Sequence, residues 1–135
     1  MKELLLAASD ETLYTVLDAI KDELNKNGCP GDVQTQILIS AEEIYVNIAH
    51  YAYGGKAGEA KVQIDVGGDP KTCKVVFYDR GMQYNPLEKE DPDTTLSADE
   101  RQIGGLGVFM VKTMMDKVDY KYTDGQNIFT MIKKL

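Results

Sequence analysis

The chain is short of the residues that grip nucleic acid, cross-link a fold or hold a metal cluster. Only two arginines occur among 135 residues, Arg80 and Arg101, and 22 acidic side chains outnumber 15 basic ones for a net charge of −7. Binding to a phosphate backbone needs clustered Lys and Arg, so direct nucleic-acid recognition is excluded. The two cysteines, Cys29 and Cys73, have no metal-type spacing and make no disulfide framework. No run approaches the ~20 apolar residues of a membrane span. The start "MKELLLAASDETL" has too short an apolar stretch, and no basic lead, for a secretory signal. The expected setting is a reducing cytoplasm, away from membranes.

What is present suits one globular domain over 1–135. At 43% hydrophobic and 27% charged, the chain is apolar enough to fold, and at this length it buries a core without disulfides or metals. "KELLLAAS" reads as a strand, and Ser9 or Asp10 can cap the helix that follows to Gly28. Val33, Ile37, Ala41, Ile44 and Ile48 fall on one stripe at ~100° per residue, which predicts a second helix over about 32–53. "AKVQIDV" alternates like a half-buried strand, and "TCKVVFYD" follows it after the turn "GGDPK". The acidic stretch "NPLEKEDPDTTLSADERQI", 85 to 103, shows no clear period and holds two of the four prolines. A run of that kind inside a compact domain suits a lid. "GGLGVFMVKTMMDKV" then opens a helix, and "DYKYT", "DGQN" and "IFTMIKKL" read as a hairpin. The implied fold is α+β, a two-layer α/β sandwich whose mixed, mostly antiparallel sheet carries its helices on one face.

Three constellations could carry chemistry. Glu43 and Asn47, in "EEIYVNIAHYAY", are four apart, about 40° from each other around a helix and on the shoulder of its apolar stripe. There a carboxylate could act as a base, and an amide carbonyl could ligate a hard cation such as Mg²⁺. The plainer reading is a solvated pair on a surface helix. In "DRGMQYNP", Asp79 closes a strand, where an acceptor carboxylate can hold an amino group such as adenine's, and Gly81 allows close backbone approach. Asp, Gly and Asn are also ordinary turn residues. "GGLGVF" puts glycines ahead of a helix start, whose free N–H groups suit a phosphate. The plainer reading is a flexible loop with a helix packed behind it, and Val108, Val111 and Met115 are read as core.

In this order, E-x-x-x-N on a helix, D-x-G-x-x-x-x-P after a strand and G-G-x-G before a helix resemble the three nucleotide boxes of the GHKL (Bergerat-fold) ATPase superfamily. The similarity is greatest to its anti-sigma-factor serine/threonine kinases and runs from about residue 3 to the end. The resemblance implies ATP and Mg²⁺ as ligands. It makes Glu43 the general base, Asn47 the Mg²⁺ ligand and Asp79 the partner of the adenine amine, with Gly81 permitting close approach. Gly104, Gly105, Leu106 and Gly107 would lie at the phosphates, and 87–103 would be the ATP lid. Arg101 is a candidate phosphate contact on charge and position alone. The implied activity is phosphorylation of a serine on a STAS-type antagonist, regulating transcription by partner switching with a sigma factor, and the resemblance allows a homodimer. The alternative is a regulatory module that binds ATP or ADP and sequesters a partner without catalysis. The chain departs from the family pattern at Ile48 and Tyr51, where Ala and His are common. His50 stands one residue early and is read as a helix-border residue near the nucleotide.

Overall fold

The computed structural model describes residues 1–88 and 105–135. Five strands form one sheet in the order β1-β2-β3-β5-β4. They are β1 (Lys2–Ala7), β2 (Glu59–Gly67), β3 (Thr72–Asp79), β4 (Lys117–Thr123) and β5 (Gln126–Lys134). All four pairings are antiparallel. The helices are α1 (Leu13–Lys26), α2 (Gly31–Asn47) and α3 (Gly105–Met114). The expected two-layer α+β fold is what the chain forms.

Alternation along the strands decides which face the helices cover. Ala60, Val62 and Ile64 of β2, Cys73, Val75 and Phe77 of β3, and Phe129 and Met131 of β5 are buried. They point to one side because successive strand residues alternate. Against them pack Val16, Ile20 and Leu24 of α1, spaced by four, and Ile37, Ala41 and Ile44 of α2. On the other face Tyr78 donates to Gln63 Oε1 at 2.8 Å, Gln63 donates to Glu3 Oε2 at 2.8 Å, and Lys61 sits over the Tyr78 ring. That face is polar at these positions, while Val76 of β3 on the same side is buried.

Two local expectations change. No side-chain cap starts α1: a short 3₁₀ turn, Asp10–Thr12, precedes it, and neither Ser9 nor Thr12 bonds the helix N–H groups. The Thr12 hydroxyl instead bonds the Ala7 and Ser9 carbonyls and the Tyr45 hydroxyl. The second helix does not run on as α-helix, because after Asn47 it becomes a π-helical turn, Ile48–Ala52. The hairpin meets its expectation. Asp124 and Gly125 both have positive φ, at 54° and 77°, the two-residue turn that glycine makes inexpensive and that matches strand twist.

Candidate functional site

Asp79 ends β3, the middle strand, between Ala60 of β2 and Asn127 of β5 in register. It is 6% exposed. Its Oδ1 accepts from the Gly81 backbone N–H at 2.9 Å and from the Asn127 side-chain amide at 3.0 Å. Among the described residues Oδ2 has no donor. Burial pushes the carboxyl above its ordinary pKa, and the bonds from Asn127 and Gly81 pull it partly back. The result is a buried carboxylate with one occupied oxygen and one acceptor to spare.

The cavity Asp79 helps to line is about 410 Å³, large enough for a purine base and sugar. Asn47 and Ile48 reach it from the end of α2, Tyr51 and Ala52 from the π-turn, Met82 and Tyr84 from the loop after β3, and Val108 from α3. The walls are mainly apolar and aromatic, with polar groups at few points. π-turns inside helices are often found at functional sites, and this one brings Tyr51 and Ala52 to the cavity. The loop is stitched to it, since Met82 N–H donates to the Ala52 carbonyl at 2.7 Å. Gly81 belongs to that stitch: a Cβ there would collide with the Ala52 carbonyl. Its close approach is thus to the chain itself.

Glu43 and Asn47 are both half-buried on α2, and the Asn47 amide donates to Glu43 Oε1 at 3.4 Å. The carboxylate lies against α3, and a Cβ on Gly107 would collide with it. Glu43 lines a second hollow of about 290 Å³, walled by Ile39, Val46, Gly107, Met110 and Met114. Both hollows lie along α2, where Asn47 lines one and Glu43 the other. The first turn of α3, with N–H groups that no helical carbonyl can satisfy, borders both through Gly107 and Val108.

Thus Glu43, Asn47, Asp79, Gly81 and Gly107 are gathered around one region. Gly105 and Leu106 open α3. Arg101 and Gly104 lie outside the described residues, as does the expected lid from residue 89 onward. His50 belongs elsewhere. Its Nε2 meets the Asp10 carboxylate at 2.8 Å and 2.9 Å, on the connection between β1 and α1, and it does not line the cavity. The residue missed in the sequence is Asn127. "DGQN" reads as turn, yet Asn127 pairs within β5 and is 6% exposed. The available signal was register alone, since Asn127 falls in step with Phe129 and Met131 on one face of the strand, and that signals a face and not a role.

A family model described as histidine kinase-like ATPase domain matches residues 6–133. The chain belongs to that family. Among curated relatives, a serine-protein kinase RsbW of Bacillus pumilus is 27% identical over 97 residues, covering 68% of this chain and 60% of its own length. A serine/threonine-protein kinase BtrW of Bordetella bronchiseptica is 24% identical over 95 residues, covering 70% of this chain and 66% of its own length. A crystal structure of the RsbU and RsbW domains of a Mycobacterium tuberculosis protein superposes with a TM-score of 0.66 at 15% identity, over all of this chain and 33% of that one. This likeness is one of fold. The present ATPase domain therefore spans only part of the proteins it matches.

The donor set bears on whether Mg²⁺ fits this member of the family. Among the described residues no group of three or more His, Cys, Asp or Glu side chains could hold a metal. Asn47 spends its amide N–H on Glu43 and keeps its carbonyl oxygen. One neutral oxygen, with no all-protein cage around it, fits Mg²⁺, which usually keeps several of its waters. No helix of the described residues is long and apolar enough to cross a membrane.

Proposed function

We propose that this chain binds Mg²⁺-ATP and transfers the γ-phosphate to a serine of a STAS-type antagonist protein, as an anti-sigma-factor-type kinase of the cytoplasm. The observation that carries the reading is the placement of Asp79 and Asn47 in one cavity, with Glu43 one helical turn from Asn47 and against the first turn of α3. The names of the RsbW and BtrW relatives support it.

In this reading the adenine amino group donates to Asp79 Oδ2, the base lies between the aromatic and apolar walls, and the phosphates run towards α3. The Asn47 carbonyl would hold Mg²⁺, which would supply charge neutralisation. The acceptor serine reaches Glu43 through the second hollow, on the side of Asn47 away from the base. The serine oxygen forms a bond to the γ-phosphorus, the bond to the β–γ bridging oxygen breaks, ADP leaves, and the serine proton passes to the Glu43 carboxylate. A sigma factor as second partner and a homodimer belong to the same proposal.

Glu43→Gln tests it. The amide keeps the shape and removes the base, so Mg²⁺-ATP affinity should hold within about threefold while transfer to the antagonist falls ~10²–10⁴-fold. Unchanged transfer would remove Glu43 as base. Tight ATP binding by the wild type with no transfer to any antagonist would favour the non-catalytic, sequestering module.

A further inference from the structure

We propose that Asn127 is the positioning residue that keeps Asp79 a hydrogen-bond acceptor and thereby makes the cavity select a 6-amino over a 6-oxo purine. The proposal rests on the nucleotide reading above and extends it to a residue outside the three motifs.

The geometry uses every hydrogen-bonding position of the Asn127 amide. Its Nδ2 donates to Asp79 Oδ1 at 3.0 Å and to the Met82 carbonyl at 2.9 Å. Its Oδ1 accepts from the Tyr84 backbone N–H at 3.1 Å and from the Tyr120 hydroxyl. An amide alone offers two donors and an acceptor with two lone pairs. A flipped amide would set oxygen against two oxygens and N–H against N–H, so the orientation is determined by its neighbours. One side chain therefore ties the loop after β3, both at Met82 and at Tyr84, to the strand beside Asp79.

The consequence falls on Asp79. With Gly81 N–H and Asn127 both on Oδ1, the open oxygen is Oδ2, and any proton the carboxyl takes up must sit there. Among the described residues, the groups that face it carry no positive charge. They are Asn127 from β5, the Tyr120 phenol from β4, Tyr84 and the Gly81 N–H from the loop, and Asn47 and Tyr51 across the cavity. Glu88 lies near Tyr120, and the Arg80 guanidinium is turned to the Asp124 carbonyl. Among the described residues, the neutral donors Asn127 and Gly81 are what opposes the effect of burial. Without the Asn127 donor the carboxyl would hold a proton at higher pH. A protonated Oδ2 would offer a donor, which suits a 6-oxo group and not an amino group.

The test compares the wild-type chain with Asn127→Ala and with Asn127→Leu, which keeps the bulk and loses the donors. ATP and inosine triphosphate affinities are measured with Mg²⁺ by calorimetry from pH 5.5 to 8.5. Because both nucleotides carry the same triphosphate, their ratio reports the base alone. In the wild type a preference for ATP should be nearly constant with pH. In the variants it should fall at least tenfold at pH 6 and recover towards pH 8.5. A loss of affinity equal for both nucleotides at every pH would mean that Asn127 only holds the loop, and would overturn the proposal. The Asp79 carboxyl is also followed by carbon-13 NMR in the nucleotide-free proteins, where its titration midpoint should be higher in both variants. Equal midpoints overturn the proposal even if ATP binds. A wild type that binds no ATP overturns the nucleotide reading instead, and the midpoints then still decide whether Asn127 sets the state of Asp79.

Discussion

Gly81 and Gly107 each leave room for a neighbour, and the kind of neighbour decides what a methyl group would do. At Gly81 the obstacle is the backbone carbonyl of Ala52, which is fixed by the Met82 N–H. Gly81→Ala should cost about 1–3 kcal/mol through forced backbone movement, seen as a melting temperature lower by several degrees. At Gly107 the obstacle is the end of the Glu43 side chain, which can swing away, and alanine improves a helix by ~1 kcal/mol over glycine. Gly107→Ala should melt no lower than wild type yet lose phosphotransfer at least tenfold. Equal loss of stability in the two variants would show that Glu43 is as rigid as backbone. Asp79 carries a third expectation. Its folded pKa is raised by burial, so the folded state holds the proton more tightly, and stability falls as pH rises from the unfolded value of about 3.9 to the folded one. Asp79→Asn keeps the carbonyl that accepts from Gly81 and Asn127 and removes the buried charge. The nucleotide-free variant should therefore melt higher than wild type at pH 7, by a margin that vanishes below about pH 4, while losing stabilisation by ATP. At this scale the motif residues were legible because each needs a particular side-chain chemistry at a readable spacing. Asn127 was not, because its role depends on four partners 7 to 48 positions away, which no local pattern reports.

Among the elements, α2 is the one on which the site depends. Its apolar stripe was legible as a 3.6-residue period, and the buried residues Ile37, Ala41 and Ile44 follow it. The π-turn was hidden, because one extra residue in a turn leaves composition unchanged and shows only in the backbone hydrogen bonds. The start of α1 was misread for a related reason. Ser9 and Asp10 have capping chemistry, but tertiary partners claim the region: Thr12 turns to the Ala7 carbonyl and Tyr45, and Asp10 to His50. Strand ends shifted by a residue or more at β1, β2, β4 and β5, while the stretch "TCKVVFYD" matches β3 throughout. Tyr45 ties α2 to the other two elements. Fully buried, its hydroxyl donates to the Ala7 carbonyl at the end of β1 and meets Thr12 ahead of α1. Tyr45→Phe removes these bonds without emptying the core, for a cost of about 0.5–1.5 kcal/mol and a fall of a few degrees in melting temperature. Tyr45 does not line the cavity, so ATP affinity should change less than twofold. A tenfold loss would mean that the placement of α2 against β1 sets the geometry of Glu43 and Asn47.

At the scale of the whole molecule, the net charge of −7 opposes the ligand that the cavity is proposed to take, because ATP is itself an anion. On the proposed reading, local features must outweigh the overall field: the N–H groups at the start of α3, and the Mg²⁺ that the Asn47 carbonyl would hold. Binding of the triphosphate should therefore depend on the metal, whereas binding of the base should not. Thermal unfolding with ATP plus Mg²⁺, ATP plus a chelator, and adenosine with and without Mg²⁺ separates the two. A ligand at ~100 times its Kd adds about 2.7 kcal/mol, a rise of several degrees for a chain of this length. Mg²⁺-ATP should give that rise, the chelator should remove most of it, and the smaller adenosine shift should be the same with and without metal. Added salt should shrink the metal-free penalty, since screening weakens repulsion between a negative protein and a negative ligand. If ATP stabilises equally with and without Mg²⁺, Asn47 is not a metal ligand and its carbonyl must be assigned to the nucleotide or to water. If adenosine shifts nothing while ATP does, the cavity at Asp79 is not the base site, and the phosphates alone account for binding.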